Sequence, residues 1–372
     1  MKRILSIIII SIFCVILLFP QVVNTNKPFK GKWDFNKKLL WETESAGDEV
    51  FGEIQNIAVS VKGNIFIADT KHSLIFMFDK DGDFLKTFGK KGEGPGELRE
   101  YFGGDQLHVT KNRIIFVDRA LVHYFDLKGN YLNTIQFSPV LRAREFINTD
   151  TFLSAPPTVD RRAGDTSKIL LYNLKTDKKT IITSFKPFDK ATDTQESGGN
   201  QVTVGIVIGD ITPLMMVRYK DNKIYYGMSN KNEINVCDLN GKHIMKFSNP
   251  EKKQNKVSDK FKNDLKAMLG EVPENMLNNI MNGLPKKASF FSAIHVDSKG
   301  NIYLFESDPD SETKKIIDIY DKTGKFIYRS SITSSEERTI NNILLNNNYL
   351  FIDAEDEDGN VVFSKYMINL PE

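Results

Sequence analysis

Residues 57–88 alternate short apolar runs with polar turns, a pattern that predicts four β-strands. The runs (57–60, 65–68, 75–78 and 84–88) are rich in β-branched and aromatic residues. No apolar spacing of three or four residues persists through them, which disfavours a helix. Gly63-Asn64 and Asp81-Gly82 stand between runs and suit tight hairpin turns. A single four-stranded sheet cannot bury two apolar faces by itself, so the pattern predicts an array of repeats.

Five further copies of this unit follow in weaker form, at residues 107–137, 144–173, 214–247, 293–329 and 343–368. The residues that close the third strand of the first three copies, Asp79, Asp126 and Asn173, are spaced 47 apart. The sixth copy is one strand short, and a strand candidate at residues 37–44 precedes the first copy. Pairing that strand with the last copy would close a ring and remove the exposed edges of an open array.

This organisation predicts an all-β protein, a six-bladed β-propeller of four-stranded blades closed by an N-terminal strand in the last blade. The motif I-A-V-S-V-K-G-N-I-F-I-A-D at residues 57–69 resembles the NHL-type propeller repeat. The glycine-rich link at residues 89–98 resembles that of bacterial secreted six-bladed propellers. The resemblance implies the fold, but propellers include binders, scaffolds and unrelated enzymes, so it implies no single function.

One passage, at about residues 250–289 between blades four and five, has helical spacing. Ser258 can cap a helix whose apolar residues recur three or four apart, and a second amphipathic stretch begins at Glu274. Two such helices need a surface to cover. Either they pack on the propeller itself, or they form a lid or a methionine-lined surface for a partner.

The first residues have the pattern of a targeting segment. Lys2 and Arg3 precede residues 4–19, of which 14 of 16 are apolar. The run suits a cleaved signal peptide and is only slightly short for a retained membrane anchor. We therefore expect a signal peptide or anchor over residues 1–25 and a single propeller domain over residues 26–372. The expected location is extracytoplasmic: periplasmic, secreted or anchored at the N-terminus.

Charge and cysteine content narrow the classes of partner. The formal charge of +2 falls to 0 without Lys2 and Arg3, which gives no support for nucleic-acid binding by bulk charge. If the N-terminal segment is cleaved, Cys14 is removed with it and Cys237 is the one remaining cysteine. The fold would then not depend on an internal disulfide. We expect a monomer that binds a protein, peptide or glycan and reaches the membrane only through an N-terminal anchor.

Strands within a blade run antiparallel, so its loops alternate between the two faces of the ring. The first-to-second and third-to-fourth turns are short and share one face. The second-to-third loops and the links between blades share the other face, where the long segments such as residues 90–102 and 249–289 lie. Long loops on a rigid scaffold commonly carry function, so the sequence predicts a ligand site at the channel mouth of this long-loop face.

Acidic residues end the second strands of four blades in the predicted register. Each could accept N–H bonds from its own loop, which is the commoner use of such residues. Together they could instead bind a cation or polar ligand near the channel. The candidate binding set combines these carboxylates with Arg119 and two histidines: Asp69, His108, Asp118, Arg119, His295, Glu306 and Asp353.

His108 and His295 occupy the same position in the channel-lining strands of blades two and five, which lie opposite each other in a six-bladed ring. A zinc site needs further ligands close by, and the other blades offer none here. We therefore expect no catalytic residue and no cofactor. The alternative is that the protein binds Ca²⁺ or Zn²⁺. The predicted function is an extracytoplasmic binding or scaffold module. The alternative is a metal-dependent hydrolase or lyase similar to propeller lactonases or amidating lyases.

Overall fold

The computed structural model describes residues 20–99, 106–118, 120–138, 141–155, 166–186, 192–197, 200–205, 210–270 and 272–372. These residues form six antiparallel blades. In five blades the strands pair in chain order from the channel to the rim, and in the sixth an N-terminal strand is the outermost. The predicted six-bladed propeller is therefore confirmed, as is its closure by an N-terminal strand.

Four short strands precede the first blade: β1 (Gln21–Val23), β2 (Lys38–Thr43), β3 (Ser45–Ala46) and β4 (Glu49–Val50). Blade one consists of β5 (Ile54–Val59), β6 (Ile65–Asp69), β7 (Leu74–Phe78) and β8 (Phe84–Phe88). Blade two consists of β9 (Leu107–Val109), β10 (Ile114–Asp118), β11 (Leu121–Phe125) and β12 (Tyr131–Gln136). Blade three consists of β13 (Ala143–Asn148), β14 (Thr151–Ser154), β15 (Ser167–Asn173) and β16 (Lys178–Phe185).

A separate hairpin follows, formed by β17 (Thr192–Ser197) and β18 (Asn200–Gly205). Blade four consists of β19 (Met215–Lys220), β20 (Lys223–Met228), β21 (Glu233–Asp238) and β22 (His243–Ser248). Blade five consists of β23 (Phe291–Val296), β24 (Ile302–Glu306), β25 (Lys314–Tyr320) and β26 (Phe326–Thr333). Blade six consists of β27 (Thr339–Asn346), β28 (Tyr349–Glu355), β29 (Val361–Met367) and, as its outermost strand, β2.

The strand β2 closes the ring. It pairs antiparallel with β29 and places Thr43 opposite Phe363. Trp41 projects from β2 into the seam between blades six and one. Its ring centroid lies 6.1 Å from that of Phe78 in blade one and 5.6 Å from that of Phe363 in blade six. The two ends of the propeller therefore share one sheet, and aromatic rings fill the seam.

The residues before β2 run along the outer edges of two further blades. β1 pairs in parallel with β22, the outermost strand of blade four. The backbone N–H groups of Phe29, Lys30 and Trp33 then donate to carbonyl oxygens of β26 at 2.9, 2.8 and 3.0 Å. One continuous segment thus ties together blades four, five and six. The predicted domain start at residue 26 stays a prediction.

The interior consists of apolar layers between adjacent blades. Between blades one and two, for example, buried Phe66 and Met77 belong to the same layer as Ile114 and Phe125. Complete burial of a side chain of this size contributes roughly 1.5–3 kcal/mol. Each blade contributes to two such layers, so its stability depends on having a neighbour on both sides.

A recurrent aspartate shapes the turns of one face. In blade one, the Asp79 carboxylate accepts hydrogen bonds from the N–H groups of Asp81 and Asp83, at 2.8 and 3.0 Å. The same pair of contacts recurs in the third-to-fourth turns of blades two, four and five, at Asp126, Asp238 and Asp321. We call the face that carries these turns and the first-to-second turns the short-turn face. The opposite one is the long-loop face.

The passage between blades four and five contains two helices, α1 (Asp259–Met268) and α2 (Glu274–Asn282), as predicted. The Ser258 hydroxyl accepts a hydrogen bond from the Phe261 N–H at 3.0 Å, which confirms the predicted cap. Phe261 packs against a small buried cluster that includes Ile211 and Val257, so α1 covers residues that flank blade four. A short 3₁₀ turn at Ser335–Glu337 precedes blade six.

No helix within the described ranges is long and apolar enough to cross a membrane. The predicted signal peptide or anchor falls mainly on residues 1–19, which lie outside the described residues. Cys237 is a buried free cysteine in β21, as expected for a small apolar residue of a strand.

We predict that Gly82→Ala destabilises the ring at its seam. Gly82 has φ +98°, and an added Cβ would lie 2.7 Å from the Trp41 ring, which contacts Phe78 and Phe363. Gly31 is the matched control, because its φ is +92° but no atom lies within 4 Å of an added Cβ. In urea denaturation, Gly31→Ala should cost about 1–2 kcal/mol from backbone strain alone, and Gly82→Ala about 2–5 kcal/mol. Equal losses would contradict the packing role of Gly82.

Candidate functional site

The first strands of all six blades line a central channel that contains a cavity of 630 Å³. Its lining starts in the N-terminal half of these strands and continues to the first-to-second turns, where Lys220, Asp297 and Asn347 lie. The cavity therefore reaches the short-turn face. Ligand sites typically have volumes of roughly 300–1,000 Å³, so this channel is the first candidate site.

A β-bulge recurs in the first strand of four blades and shapes the channel wall. The register against the second strand shifts between Ile54 and Asn56, Ala143 and Glu145, Phe291 and Ala293, and Ile340 and Asn342. A bulge places two consecutive residues opposite one and re-aims their side chains. The neighbouring pair Arg144 and Glu145 accordingly lines the cavity together.

Polar side chains at these bulges bridge adjacent blades around the channel. Asn56 Oδ1 in blade one accepts hydrogen bonds from the N–H groups of Gln106 and Leu107, at 2.7 and 3.3 Å. Glu145 Oε2 in blade three accepts one from the Tyr219 N–H of blade four at 2.6 Å. These contacts fix the spacing of the first strands and therefore the width of the channel.

The channel wall has a small excess of positive charge. Arg218 Nε of blade four lies 3.6 Å from Glu145 Oε1 of blade three. Arg144 and Lys220 add two further cations, against Glu145 and Asp297 as the anions of the lining. Such a wall favours ligands with negative or hydrogen-bond-accepting groups. These charged residues were not predicted as site residues. A pair of adjacent polar residues that interrupts a first strand, such as Arg144-Glu145, is a sequence signal for such positions.

Both predicted histidines line the channel cavity. The His108 ring centroid lies 5.1 Å from that of Phe146, and the His295 ring centroid lies 5.2 Å from that of Phe305. Burial, reinforced by the charge of Arg218, lowers the pKa of His295 to about 3, so the ring is neutral near pH 7. Within the described ranges, no group of three or more His, Cys, Asp or Glu side chains is arranged to hold a metal ion.

The predicted carboxylate Asp69 holds both its own loop and the segment before β5. It is buried at the end of β6 and does not line the channel cavity. Its carboxylate accepts hydrogen bonds from the N–H groups of Gly52, Glu53 and His72 at 2.6, 3.3 and 3.1 Å. Its Oδ2 also lies 3.1 Å from His72 Nδ1. The contact with His72 is the loop contact that turn chemistry predicted, and the contacts with Gly52 and Glu53 hold the segment before β5.

Asp118 ends β10 and is completely buried, also away from the channel cavity. Its Oδ2 lies 4.0 Å from His123 Nε2, and among the described residues neither Asp118 oxygen has a hydrogen-bond partner. Burial lowers the pKa of His123, and the Asp118 carboxylate opposes that shift. The predicted neighbour Arg119 lies outside the described residues.

Glu306 ends β24 and belongs to a buried ion-pair network that fastens the segment before α1 to blade five. Lys252 Nζ lies 2.8 Å from Glu306 and 2.5 Å from Asp318, and Arg329 Nε donates to Asp318 at 2.6 Å. Asn255 Nδ2 donates to Glu306 Oε1 at 3.0 Å. The Glu306 carboxylate is thus engaged in internal contacts.

Asp353 lies inside β28, two residues before its end at Glu355, and not at the strand end that the pattern predicted. The bulge in β27 sets this register. Asn342 stands opposite Asp353, and its Nδ2 donates to Asp353 Oδ2 at 2.7 Å. Burial raises the pKa of Asp353 to about 7; the Asn342 hydrogen bond opposes this rise, and the charges of Glu355 and Asp69 add to it. Two predicted carboxylates, Asp353 and Asp69, are therefore close enough to interact across the seam.

A second cavity, of 750 Å³, opens on the short-turn face between blades six and one. We call it the seam groove. It shares Val59, Lys220, Asn346 and Asn347 with the channel lining, so the two cavities adjoin. The rest of its lining consists of Leu40, Trp41, residues 60–63, Lys80, Asp81, Tyr349, Phe351 and Lys365.

A closed ring of six four-stranded blades around an open channel defines a six-bladed β-propeller. Residues 40–268, more than half of the chain, match the family DUF5128, described as "6-bladed beta-propeller". The protein belongs to this family. Its finer likeness to NHL repeats stays a prediction.

Two solved structures of Bacteroides proteins show the same fold. One, described as a predicted exported protein of Bacteroides fragilis, is 14% identical; the match covers 94% of this chain and 100% of that one, with a TM-score of 0.55. The other, a DUF4221 family member from Bacteroides vulgatus, is 13% identical; the match covers 90% and 99%, with a TM-score of 0.54. No curated protein matches the chain. At these identities the likeness shows the fold alone.

We predict that Lys252→Met destabilises the protein far more than Lys260→Met. The Lys252 side chain is 7% exposed between two carboxylates, whereas that of Lys260 is 64% exposed and pairs with Glu312 at 3.3 Å. Without Lys252 the partly buried Glu306 loses its ion-pair partner and the buried Asp318 loses one of two, at a cost of about 3–5 kcal/mol. Lys260→Met should change the unfolding free energy little, because water screens the exposed pair. Similar decreases in the free energy of urea unfolding for the two variants would contradict the role of Lys252 in holding the segment before α1 to blade five.

We predict that Asp353→Asn removes one component of the pH dependence of stability. The pKa of Asp353 is about 7 in the folded protein, against 3.8 for an ordinary Asp. Between these values the folded state holds a proton that the unfolded chain has lost, so this group lowers stability as the pH rises from about 4 to about 7. As the pH rises over that range, the unfolding free energy of Asp353→Asn should increase by roughly 1–4 kcal/mol relative to that of the parent, as measured by urea unfolding.

Asp358 provides the control for this measurement, since it is exposed in the turn that follows β28. Asp358→Asn should leave the slope of stability against pH as it is in the parent. A parallel pH dependence of Asp353→Asn and the parent would contradict the assignment of this slope to Asp353.

Proposed function

We propose that the protein is an extracytoplasmic binding module whose channel and seam groove receive a protein, peptide or glycan ligand. The observation that carries the proposal is the pair of adjoining cavities, 630 and 750 Å³, at the centre of the ring. A preformed concavity with a few fixed polar groups is the usual form of a ligand site. The contacts of Asn56 and Glu145 with the next blade support a rigid wall, which lowers the entropic cost of binding.

Two observations support the extracytoplasmic location. Lys2 and Arg3 followed by the apolar residues 4–19 have the pattern of a secretory signal or anchor. The structurally similar Bacteroides fragilis protein is described as a predicted exported protein. A chain that binds its ligand outside the cytoplasm would need such a segment.

The face by which the ligand enters follows from where the cavities open. Both reach the short-turn face, which favours entry from that side. Asp69 and Glu306, two carboxylates predicted for the long-loop face, are engaged in internal contacts. Binding on the long-loop face stays a prediction, and among the described residues no observation favours the alternative of a metal-dependent hydrolase or lyase.

We predict that Ser292→Trp abolishes ligand binding. Ser292 lines the cavity at the bulge of blade five, so an indole in its place would fill much of the channel. Ser331→Trp is the matched control, because Ser331 is exposed on β26 at the rim of the same blade. The parent protein and both variants would be tested against arrays of saccharides and peptides, with circular dichroism to verify folding.

The parent and Ser331→Trp should bind the same array components, and folded Ser292→Trp should lose them. Retention of binding by Ser292→Trp would place the site outside the channel. A parent protein that binds no component of either array would count against the binding function itself.

A further inference from the structure

We propose that the seam groove binds the acidic group of an anionic saccharide, with Lys365 at its floor and Lys62, Lys80 and Lys220 around it. This inference specifies the ligand class of the proposed binding function and rests on that function. The four lysines come from three different blades, six, one and four, and all of them line the same cavity.

Lys365 is a buried cation without a carboxylate partner among the described residues. It is 4% exposed, and its ammonium group donates a hydrogen bond to the Lys80 carbonyl oxygen. The same nitrogen lies 4.4 Å from the Tyr349 ring centroid and 5.8 Å from that of Phe351. Asp81, the one acid of the groove, pairs with Lys80 instead. An ammonium group has three donors, so Lys365 has capacity left for a bound anion.

The electrostatics of the groove favour an anion. Lys62 and Lys80 are exposed on the two short turns of blade one, and Lys220 stands at the channel mouth. With Lys365, four cations face one carboxylate in this lining. Burial lowers the pKa of Lys365, and the charges of Asp81 and Asp79 oppose this shift. A carboxylate or sulfate in the groove would form charge-assisted hydrogen bonds with Lys365.

The remaining groups favour a saccharide over an acidic peptide. The lysines only donate hydrogen bonds, and sugar hydroxyls can accept them, whereas a peptide also presents N–H groups that need acceptors. Asn346 and Asn347 line the groove with amide groups that both donate and accept, as hydroxyl recognition requires. The Tyr349 side chain is 39% exposed there and offers an aromatic surface to a sugar ring. The geometry therefore fits an acidic sugar unit with its ring near Tyr349 and its acid near Lys365.

The test measures binding of three probes to the purified protein by calorimetry: an oligogalacturonate, a neutral maltooligosaccharide of equal length, and poly-L-glutamate. We expect the protein to bind the oligogalacturonate most tightly, with an affinity that falls as salt is added. Lys80→Glu should weaken this binding by about tenfold or more, because it replaces one attractive charge with a repulsive one.

Lys322→Glu is the matched control, since Lys322 occupies the equivalent turn of blade five. An added Cβ on the facing glycine would lie 3.0 Å from Lys80 Cβ at Gly63 and 3.2 Å from Lys322 Cβ at Gly300, so the two lysines have equivalent positions. Lys322→Glu should bind the oligogalacturonate as the parent does. Lys365→Met should lose binding as Lys80→Glu does, and the exposed position of Lys80 keeps the test decisive if Lys365→Met does not fold.

Three results would overturn the proposal: no binding of the oligogalacturonate by the parent, binding of poly-L-glutamate as tight or tighter, or equal weakening by Lys80→Glu and Lys322→Glu. Each of these can occur while Ser292→Trp still abolishes binding of another ligand. In that case the anionic saccharide is wrong and the binding function of the channel stands.

Discussion

A propeller blade has two apolar faces, and both are buried only when a neighbour stands on each side. The antiparallel pairing of β2 with β29 supplies the last of these neighbours, because it completes blade six and brings Trp41 against blade one. The segment before β2 adds edge contacts to blades four and five. Ring closure therefore depends on an N-terminal segment that pairs with three blades, and the channel exists as a defined space only because the ring is closed.

The seam groove lies where this closure differs from the rest of the ring. In the other blades a turn on the short-turn face joins the third strand to the fourth. Blade six has no such turn, since β29 and β2 come from opposite ends of the propeller. The space beside these strands is lined by Trp41 and Lys365 on one side and by the Lys80 turn on the other. The same topology that stabilises the ring thus leaves a recess at its seam.

The blade unit, its turns, the ring closure and the capped helix could all be predicted, because each depends on a local pattern such as Gly63-Asn64 or Ser258. His108 and His295 line the channel as their strand positions indicated, but the positions of other site residues could not be predicted. Asp353 is displaced from the strand end by a bulge in a neighbouring strand, and Lys365 is buried by a contact with Lys80, 285 residues away in the sequence. Such register shifts and long-range contacts leave no periodic trace in the residues that they position.

The carboxylates of the long-loop face and the lysines of the short-turn face have different roles in the fold. Carboxylates such as Asp69 and Glu306 stand at strand ends on the long-loop face and contact neighbouring segments there. Asp69 accepts a hydrogen bond from the Gly52 N–H, and Glu306 forms an ion pair with Lys252. Several turns of the opposite face satisfy their own N–H groups through one aspartate, as at Asp79. Lys80, in the turn that Asp79 caps, is exposed and pairs with the neighbouring Asp81. A short turn whose N–H groups are hydrogen-bonded within the turn can therefore expose a charged side chain to a ligand. A charged side chain beside a longer loop is used to anchor that loop.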